Sequence, residues 1–170
     1  MRGYKLFRQD RNGGLHALYI LAKETLPIGE WIPAKEGEKT PDGKVKKTGG
    51  GTLAYRPGWH ICPDVPYETH IGKKGPNGKI AFLPNDLVWA EVEYSDAVNY
   101  QAEADSNGKG WDACLKKVPV NGYYSFKTNC QMYGKWVIAG AMRIIRTISD
   151  EEVSTLCAKV GLIPLPREVA

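Results

Sequence analysis

The sequence of 170 residues lacks several features by which large classes of protein are recognised. No apolar run is long enough to span a bilayer, and the N-terminal MRGYKLFRQD lacks the apolar stretch of a signal peptide. No glycine-rich segment has the spacing and the strand-to-helix context of a phosphate-binding loop. We therefore expect a cytoplasmic protein with no membrane partner.

Cysteine is scarce and unpaired in the sequence. The four cysteines are scattered without a CxxC pair: Cys62, Cys114, Cys130 and Cys157. In a reducing compartment they are expected to be free thiols. His60, Cys62 and His70 lie near one another, but a structural zinc site usually has paired ligands at both ends, so we expect no metal. Cys62 as a nucleophile lacks a well-placed base, which favours a packed, inert thiol.

The charge is only mildly basic. The formal net charge is +4 and the pI is near 8.8. Lysine and arginine concentrate in 35–47 and 73–79 beside glycine and proline, which indicates solvated loops rather than a phosphate-binding stripe. Specific nucleic-acid binding is not expected. The composition predicts one globular domain over 1–170, with mobile loops at 35–51 and 72–79.

The hydrophobic patterns predict an α+β fold of mostly antiparallel twisted sheet, with few short helices and one C-terminal helix. Strands are predicted at 4–8, 15–22, 29–34, 52–56, 58–62, 86–100, 121–129 and 135–148. The first two form a hairpin. Gly140 in the last strand marks a bulge or a close approach. One or two helical turns are predicted at 65–72, and a loop-rich excursion at 101–119.

The C-terminal helix is predicted from its cap. Ser149 is the N-cap candidate, and Glu152 lies at the N3 position of a capping box. The predicted buried stripe is Val153, Leu156 and Val160, and Gly161 with Pro164 ends the helix.

Segment 86–100 has the strongest alternation of residues between two strand faces in the chain. It places Val88, Ala90, Val92 and Tyr94 on one face, and Trp89, Glu91 and Glu93 on the other. The polar face is either a solvent face or a carboxylate pair at the rim of a cleft. In the second case Trp89 supplies a stacking wall and the carboxylates take part in catalysis.

Segment 53–72, LAYRPGWHICPDVPYETHIG, gathers Tyr55, Arg56, Trp59 and His60 around a Pro-Gly turn. The turn presents His60 and Cys62 on one strand face and Trp59 on the other. The cluster is either a ligand-binding site or an aromatic corner of the core. The sequence leaves both interpretations open.

Four stretches carry a resemblance: RPGWH, VWAEVEY, NGYYSFKTN and WVIAGAMRIIRTISDEEV. Together they resemble uncharacterised proteins of phages and mobile elements over roughly residues 53–155. The resemblance implies a phage or mobile-element accessory protein located in the host cytoplasm. It brings no assigned activity.

A second, functional resemblance is to ADP-ribosyltransferases. Arg8 on an early strand, the run PGWHICPD and the pair Glu91-x-Glu93 stand in the order of that family's motifs. Cys62 departs from the Ser or Thr expected in the middle motif. The resemblance implies a mono-ADP-ribosyltransferase-like enzyme with NAD as substrate and no covalent cofactor. It implies the catalytic residues Glu93, Glu91 and His60, and the NAD-binding residues Arg8, Tyr55, Arg56, Trp59 and Trp89.

A non-catalytic role is the alternative. Exposed aromatic residues around RPGWH would then form a hot spot for a protein partner, such as a host defence factor that the protein inhibits. The expected partner is thus a nucleotide or a host protein.

Overall fold

The computed structural model describes residues 1–127 and 131–168 and has the predicted α+β class, mostly antiparallel strands with short helices. The strands are β1 (Arg2–Gln9), β2 (Leu15–His16), β3 (Trp31–Pro33), β4 (Lys44–Lys46), β5 (Thr52–Ala54), β6 (Trp59–Ile61), β7 (Lys73–Lys74), β8 (Ile80–Phe82), β9 (Leu87–Tyr94), β10 (Val98–Asn99), β11 (Gly122–Phe126), β12 (Trp136–Ala139) and β13 (Ala141–Thr147). The helices are α1 (Gln101–Ser106), a 3-10 turn (Gly110–Asp112) and α2 (Asp150–Ala158). None of the helices described is long and apolar enough to cross a membrane.

Two sheets make up the body of the fold. One has the order β2-β1-β9-β13-β3 and the other the order β10-β11-β12-β6; two short hairpins, β4-β5 and β7-β8, lie outside them. Phe7, Val92 and Ile144 of the first sheet form one buried cluster with Ile61 and Val137 of the second. The two sheets therefore pack face to face, and the core lies between them.

The outer face of the five-stranded sheet is covered by helix α2. Leu6 and Trp89 of this sheet share a second buried cluster with Val153 and Cys157 of the helix. The alternation predicted for 86–100 is confirmed within β9, since Ala90 and Val92 face the other sheet while Trp89 faces α2. The strand ends at Tyr94, before the predicted limit.

The predicted cap of the C-terminal helix is confirmed. The Ser149 hydroxyl accepts a hydrogen bond from the Glu152 backbone N–H at 3.1 Å. The buried stripe differs from the prediction, because Cys157 is buried with Val153 whereas Val160 lies beyond the helix and is exposed. The helix is shorter than predicted, so its packed face has room for only two fully buried side chains.

The long strand predicted at 135–148 is divided at Gly140. Residues before it form β12 in one sheet and residues after it form β13 in the other. The predicted close approach is confirmed: a Cβ atom at Gly140 would lie 2.1 Å from the Pro119 carbonyl oxygen. The sequence pattern cannot reveal this change of sheet, because both halves are buried and both are rich in β-branched residues.

Several local predictions were wrong. Of the strand predicted at 15–22 only Leu15–His16 pairs with β1, and 65–72 contains no helix. The predicted loop 35–51 contains β4, whose Val45 is buried, and the predicted loop 72–79 contains β7. The strand at 121–129 is confirmed as β11, although Thr128 and Asn129 lie outside the described residues.

Replacing Gly140 by alanine is expected to destabilise the protein by about 3 kcal/mol or more, since the added methyl meets rigid backbone rather than a side chain that can move. Urea unfolding measures the change. Gly29→Ala is the matched control: its Cβ meets nothing within 4 Å, so only the left-handed backbone strain of about 1–2 kcal/mol applies. Equal losses for the two variants would contradict the close approach.

Candidate functional site

A cavity of about 740 Å³ lies beside β1, at an edge of this strand that pairs with two different segments of the chain. At one point of this edge, Tyr4 and Cys62 exchange both backbone hydrogen bonds at 2.8 Å, which joins β1 to the strand end after β6. Further along, Arg8 and Gln9 pair with β2. The segment between these pairings lines the cavity with Lys5 and Leu6.

Aromatic side chains form part of the cavity wall. Trp136 stands between two histidine rings, with the centroids of His60 and His70 each 5.8 Å from its own in edge-on geometry. Trp59 and Phe126 contribute further ring surface. A cavity of this size and lining is typical of sites for drug-sized ligands with a planar ring.

The Pro-Gly turn before β6 sets the directions of Trp59 and His60. Gly58 has a φ of 135°, and a Cβ there would lie 2.4 Å from the Ile138 side chain, so only glycine fits. Trp59 then packs toward the inter-sheet core and donates from Nε1 to the Ile32 carbonyl at 2.9 Å. His60 projects to the opposite face, as predicted, beside Trp136.

Charged and polar side chains converge at the inner end of the cavity. Lys5 Nζ donates to the His60 carbonyl oxygen at 2.7 Å. The Cys62 thiol donates to Glu68 Oε1 at 3.3 Å. Glu68 is only 7% exposed, the one charged residue that is buried among those described.

Burial shifts the protonation equilibria of this group. Desolvation raises the pKa of Glu68 to about 7, opposed by the charge of Lys5. Desolvation, with Lys5 adding to it, lowers the pKa of His60 to about 4. Burial also lowers the pKa of Lys5 and raises that of Cys62 well above its usual range. Cys62 is therefore a protonated donor, which argues against a thiolate nucleophile.

Unpartnered polar atoms are concentrated in this cavity. In the described part of the chain, five buried side-chain nitrogen or oxygen atoms lack a hydrogen-bond partner. Four of them belong to residues that line the cavity: Tyr55 Oη, Arg56 Nε, Glu68 Oε2 and His70 Nδ1. Buried polar atoms are normally satisfied, so this concentration is unusual, although the Lys39 and Glu36 side chains both act on Tyr55.

The cavity brings together half of the residues predicted for the site. Tyr55, Arg56, Trp59 and His60 all line it. They come from one turn and its flanking strands, so their proximity follows from local geometry. Four residues of segment 53–72 therefore line a cavity of ligand size.

The Glu91 and Glu93 carboxylates lie away from this cavity. Both are on the face of β9 opposite to Lys5, and both are held in ion pairs: Glu91 Oε2 with Arg146 Nε at 3.0 Å, and Glu93 with Arg143 Nη2 at 3.1 Å. Trp89 shares that face and is buried in the α2 cluster, so its ring is not available for stacking.

Arg8 is not brought together with Glu93 either. Arg8 opposes Leu87 across the ladder, whereas Glu93 opposes Arg2, six residues further along β9. At about 3.4 Å per residue the two positions are roughly 20 Å apart. The Arg8 guanidinium pairs with Asp86 at 3.5 Å and is half-exposed. One concavity containing Arg8, Glu93 and His60 is not present.

The sequence analysis did not identify Lys5 and Glu68 as site residues. Lys5 occupies the same strand face as Phe7, which is fully buried, and a charged residue on a buried face is a recognisable signal. Glu68 gave no such signal, because segment 65–72 was assigned to helical turns. Its polar neighbours are Cys62 and Lys5, and Lys5 is distant in the sequence.

The cysteines and histidines that the structure describes form no recognisable metal centre. Cys62, Cys114 and Cys157 are free and buried, and Cys130 lies outside the described residues. Within residues 1–127 and 131–168, no group of three or more His, Cys, Asp or Glu side chains is placed to hold a metal ion.

The pKa shifts of Glu68 and His60 have opposite signs, so the two residues predict opposite pH dependences of stability. Variants of each residue separate the two contributions. The stability contributed by Glu68 is present below its unfolded pKa of about 4.5 and is lost as the pH rises through 7. That of His60 is present above 6.5 and is lost as the pH falls through 4. The two slopes therefore oppose each other between pH 4.5 and 6.5.

Relative to the wild type, Glu68→Gln should gain stability as the pH rises from 4.5 to 7, by about 3 kcal/mol at about 1.4 kcal/mol per pKa unit. His60→Asn should change in the opposite direction, losing stability relative to the wild type as the pH rises from 4 to 6.5. Urea unfolding at half-unit pH steps measures both. Parallel profiles of wild type and Glu68→Gln would contradict a raised pKa at Glu68.

No protein-family model matches the chain, and no curated protein or solved structure shows significant similarity to it. The function is therefore inferred from the cavity itself.

Proposed function

We propose that the protein is an enzyme that binds a nucleotide-type substrate in the aromatic cavity and uses Glu68 as its general acid–base group. The carrying observation is the buried Glu68 carboxyl: it lines the cavity, one oxygen accepts from Cys62, and the other has no partner. Leaving a carboxylate oxygen unsatisfied costs about 1–3 kcal/mol or more, a cost that a ligand hydroxyl or N–H would remove.

The pKa of Glu68 suits proton transfer at neutral pH. A group with a pKa near 7 is present in both forms and can accept and return a proton during turnover. The Lys5 charge acts on Glu68, and His60 lines the same cavity. Charged groups held in place at a partly desolvated site interact strongly with a substrate. Perturbed carboxyl groups of this kind are characteristic of catalytic sites.

The nucleotide class rests on the ring surface of the cavity, which suits a planar base. NAD is the first substrate to test. In the proposed reaction a water or hydroxyl oxygen attacks C1′ of the nicotinamide ribose and the C1′–N bond breaks. Nicotinamide leaves with the bonding electrons as a neutral molecule, and the nucleophile's proton passes to ionised Glu68. The proposal assigns to Glu68 the carboxylate role that the resemblance implies for Glu91 and Glu93.

Glu68→Gln keeps the side-chain shape and the acceptor for Cys62 but cannot take up a proton. We expect it to bind NAD with unchanged affinity by calorimetry and to release nicotinamide at least about 100-fold more slowly. Glu93→Gln is the matched control, because Glu93 pairs with Arg143 away from the cavity, and its rate should stay within about twofold. Equal rates for Glu68→Gln and wild type, or no NAD binding by the wild type, would refute the proposal.

A second candidate is a protein-binding role, favoured by the mouth of the cavity. Trp31, Trp111 and Tyr19 line it and are 47%, 46% and 38% exposed, which is unusual for such large apolar side chains. Exposed aromatic residues are frequent hot spots in protein interfaces. A host defence factor is the partner that the phage resemblance implies.

Phage plating on a host with an active defence system separates the two candidates. For an inhibitor, Trp31→Ala combined with Trp111→Ala should remove protection of the phage, while Glu68→Gln should retain it. The reverse pattern would exclude the inhibitor and favour the enzyme.

A further inference from the structure

Arg56 has an unusual environment among the arginines of the chain. Its guanidinium carbon lies 4.9 Å from the ring centroid of Phe126 and 5.6 Å from that of Trp111. Its Nε is buried and has no hydrogen-bond partner. In the portion of the chain that is described, no carboxylate lies within ion-pair distance of Arg56.

The other arginines show what Arg56 lacks. Five of them form ion pairs with carboxylates: Arg2, Arg8, Arg143, Arg146 and Arg167. Arg11 lies exposed in the β1-β2 turn. Arg56 alone is a partly buried guanidinium held in place by aromatic rings and left without an anion. Burying a charge without a partner is costly, so an anion is the expected complement.

Three lysines lie near Arg56 or its neighbour Tyr55, and the Glu36 carboxylate also acts on Tyr55. Lys116 Nζ donates to the Tyr55 carbonyl oxygen at 3.3 Å, and Lys127 Nζ lies 5.3 Å from the Trp111 ring centroid. Lys39 Nζ lies 4.3 Å from the Tyr55 ring centroid. This end of the cavity is therefore rich in cations, whereas Glu68 lies at the inner end.

We propose that Arg56 binds the phosphate of the substrate, so that the cavity selects nucleotides over the corresponding nucleosides; this rests on the proposed function. The guanidinium lies within cation–π distance of both rings, and its N–H groups match two phosphate oxygens in a bidentate pair. The nucleotide ring lies deeper, beside Trp136 and Glu68.

Two matched pairs of fragments of NAD test the proposal by calorimetry: adenosine with AMP, and nicotinamide riboside with its mononucleotide. For the wild type, the phosphorylated member of at least one pair should bind at least about tenfold more tightly. Arg56→Gln should reduce nucleotide affinity to that of the nucleoside and leave nucleoside affinity unchanged. Arg56→Lys should retain part of the gain, because an ammonium carries the charge without the bidentate edge.

Arg8→Gln is the matched control, since Arg8 pairs with Asp86 outside the cavity, and it should bind every probe like the wild type. Unchanged nucleoside binding also shows that the Arg56 variants are folded. Nucleoside binding with no gain from phosphate, or a gain that survives Arg56→Gln, overturns the role of Arg56 and leaves the proposed function standing.

Pyrophosphate alone provides the converse test. If pyrophosphate binds in an Arg56-dependent manner while no nucleoside or nucleotide binds, the anion site at Arg56 is supported and the proposed nucleotide-binding enzyme is refuted. If none of the probes binds, both proposals are overturned.

Discussion

Strand β1 has one edge that serves two partners, and the cavity depends on this arrangement. Its other edge pairs continuously with β9 from Arg2 to Arg8. On the shared edge, the Tyr4–Cys62 pair joins the two sheets, and β2 occupies the far end. The backbone between these pairings would be an open sheet edge, which proteins normally cover or pair. Here the Lys5 side chain reaches across the gap to the His60 carbonyl oxygen, and the space around it becomes the cavity.

The polar group at the inner end of the cavity is a local cost that the rest of the fold must offset. Glu68 and Lys5 are both desolvated, and their mutual attraction in a weakly polar interior compensates only part of that cost. The compensating stability comes from the inter-sheet core and the α2 cluster, which are built from well-packed apolar side chains. This division of roles, with a stable frame holding an unfavourable polar group, is expected of functional sites.

The structural features that could be predicted from the sequence are those that short-range patterns determine. The Ser149 cap, the alternation of β9 and the Trp59–His60 division each depend on residues within one element, and each agrees with the structure. The change of sheet at Gly140 depends on Pro119, which is distant in sequence. Long-range pairing of this kind leaves no periodic signature, so the two halves were assigned to one strand.

The same distinction explains the candidate site. Residues of the RPGWH turn were named together and lie together, because the chain itself holds them close. The order Arg8 then Glu91 and Glu93 suggested one cleft, but strand register separates Arg8 from Glu93, and strand alternation turns both carboxylates away from His60. Glu68 needed knowledge of which strands adjoin it, and only the three-dimensional structure provides that.

The outer wall of the cavity is a separate layer of chain, made of the segment after β2 and the β4-β5 hairpin. The Thr48 N–H donates to the Tyr19 carbonyl oxygen at 2.7 Å, and the Thr48 hydroxyl accepts from the Ala22 N–H at 2.9 Å. Tyr19, Val45 and Leu53 of this layer line the cavity, and neither sheet contributes to these two bonds. Such a layer can open by local fluctuation while both sheets remain intact.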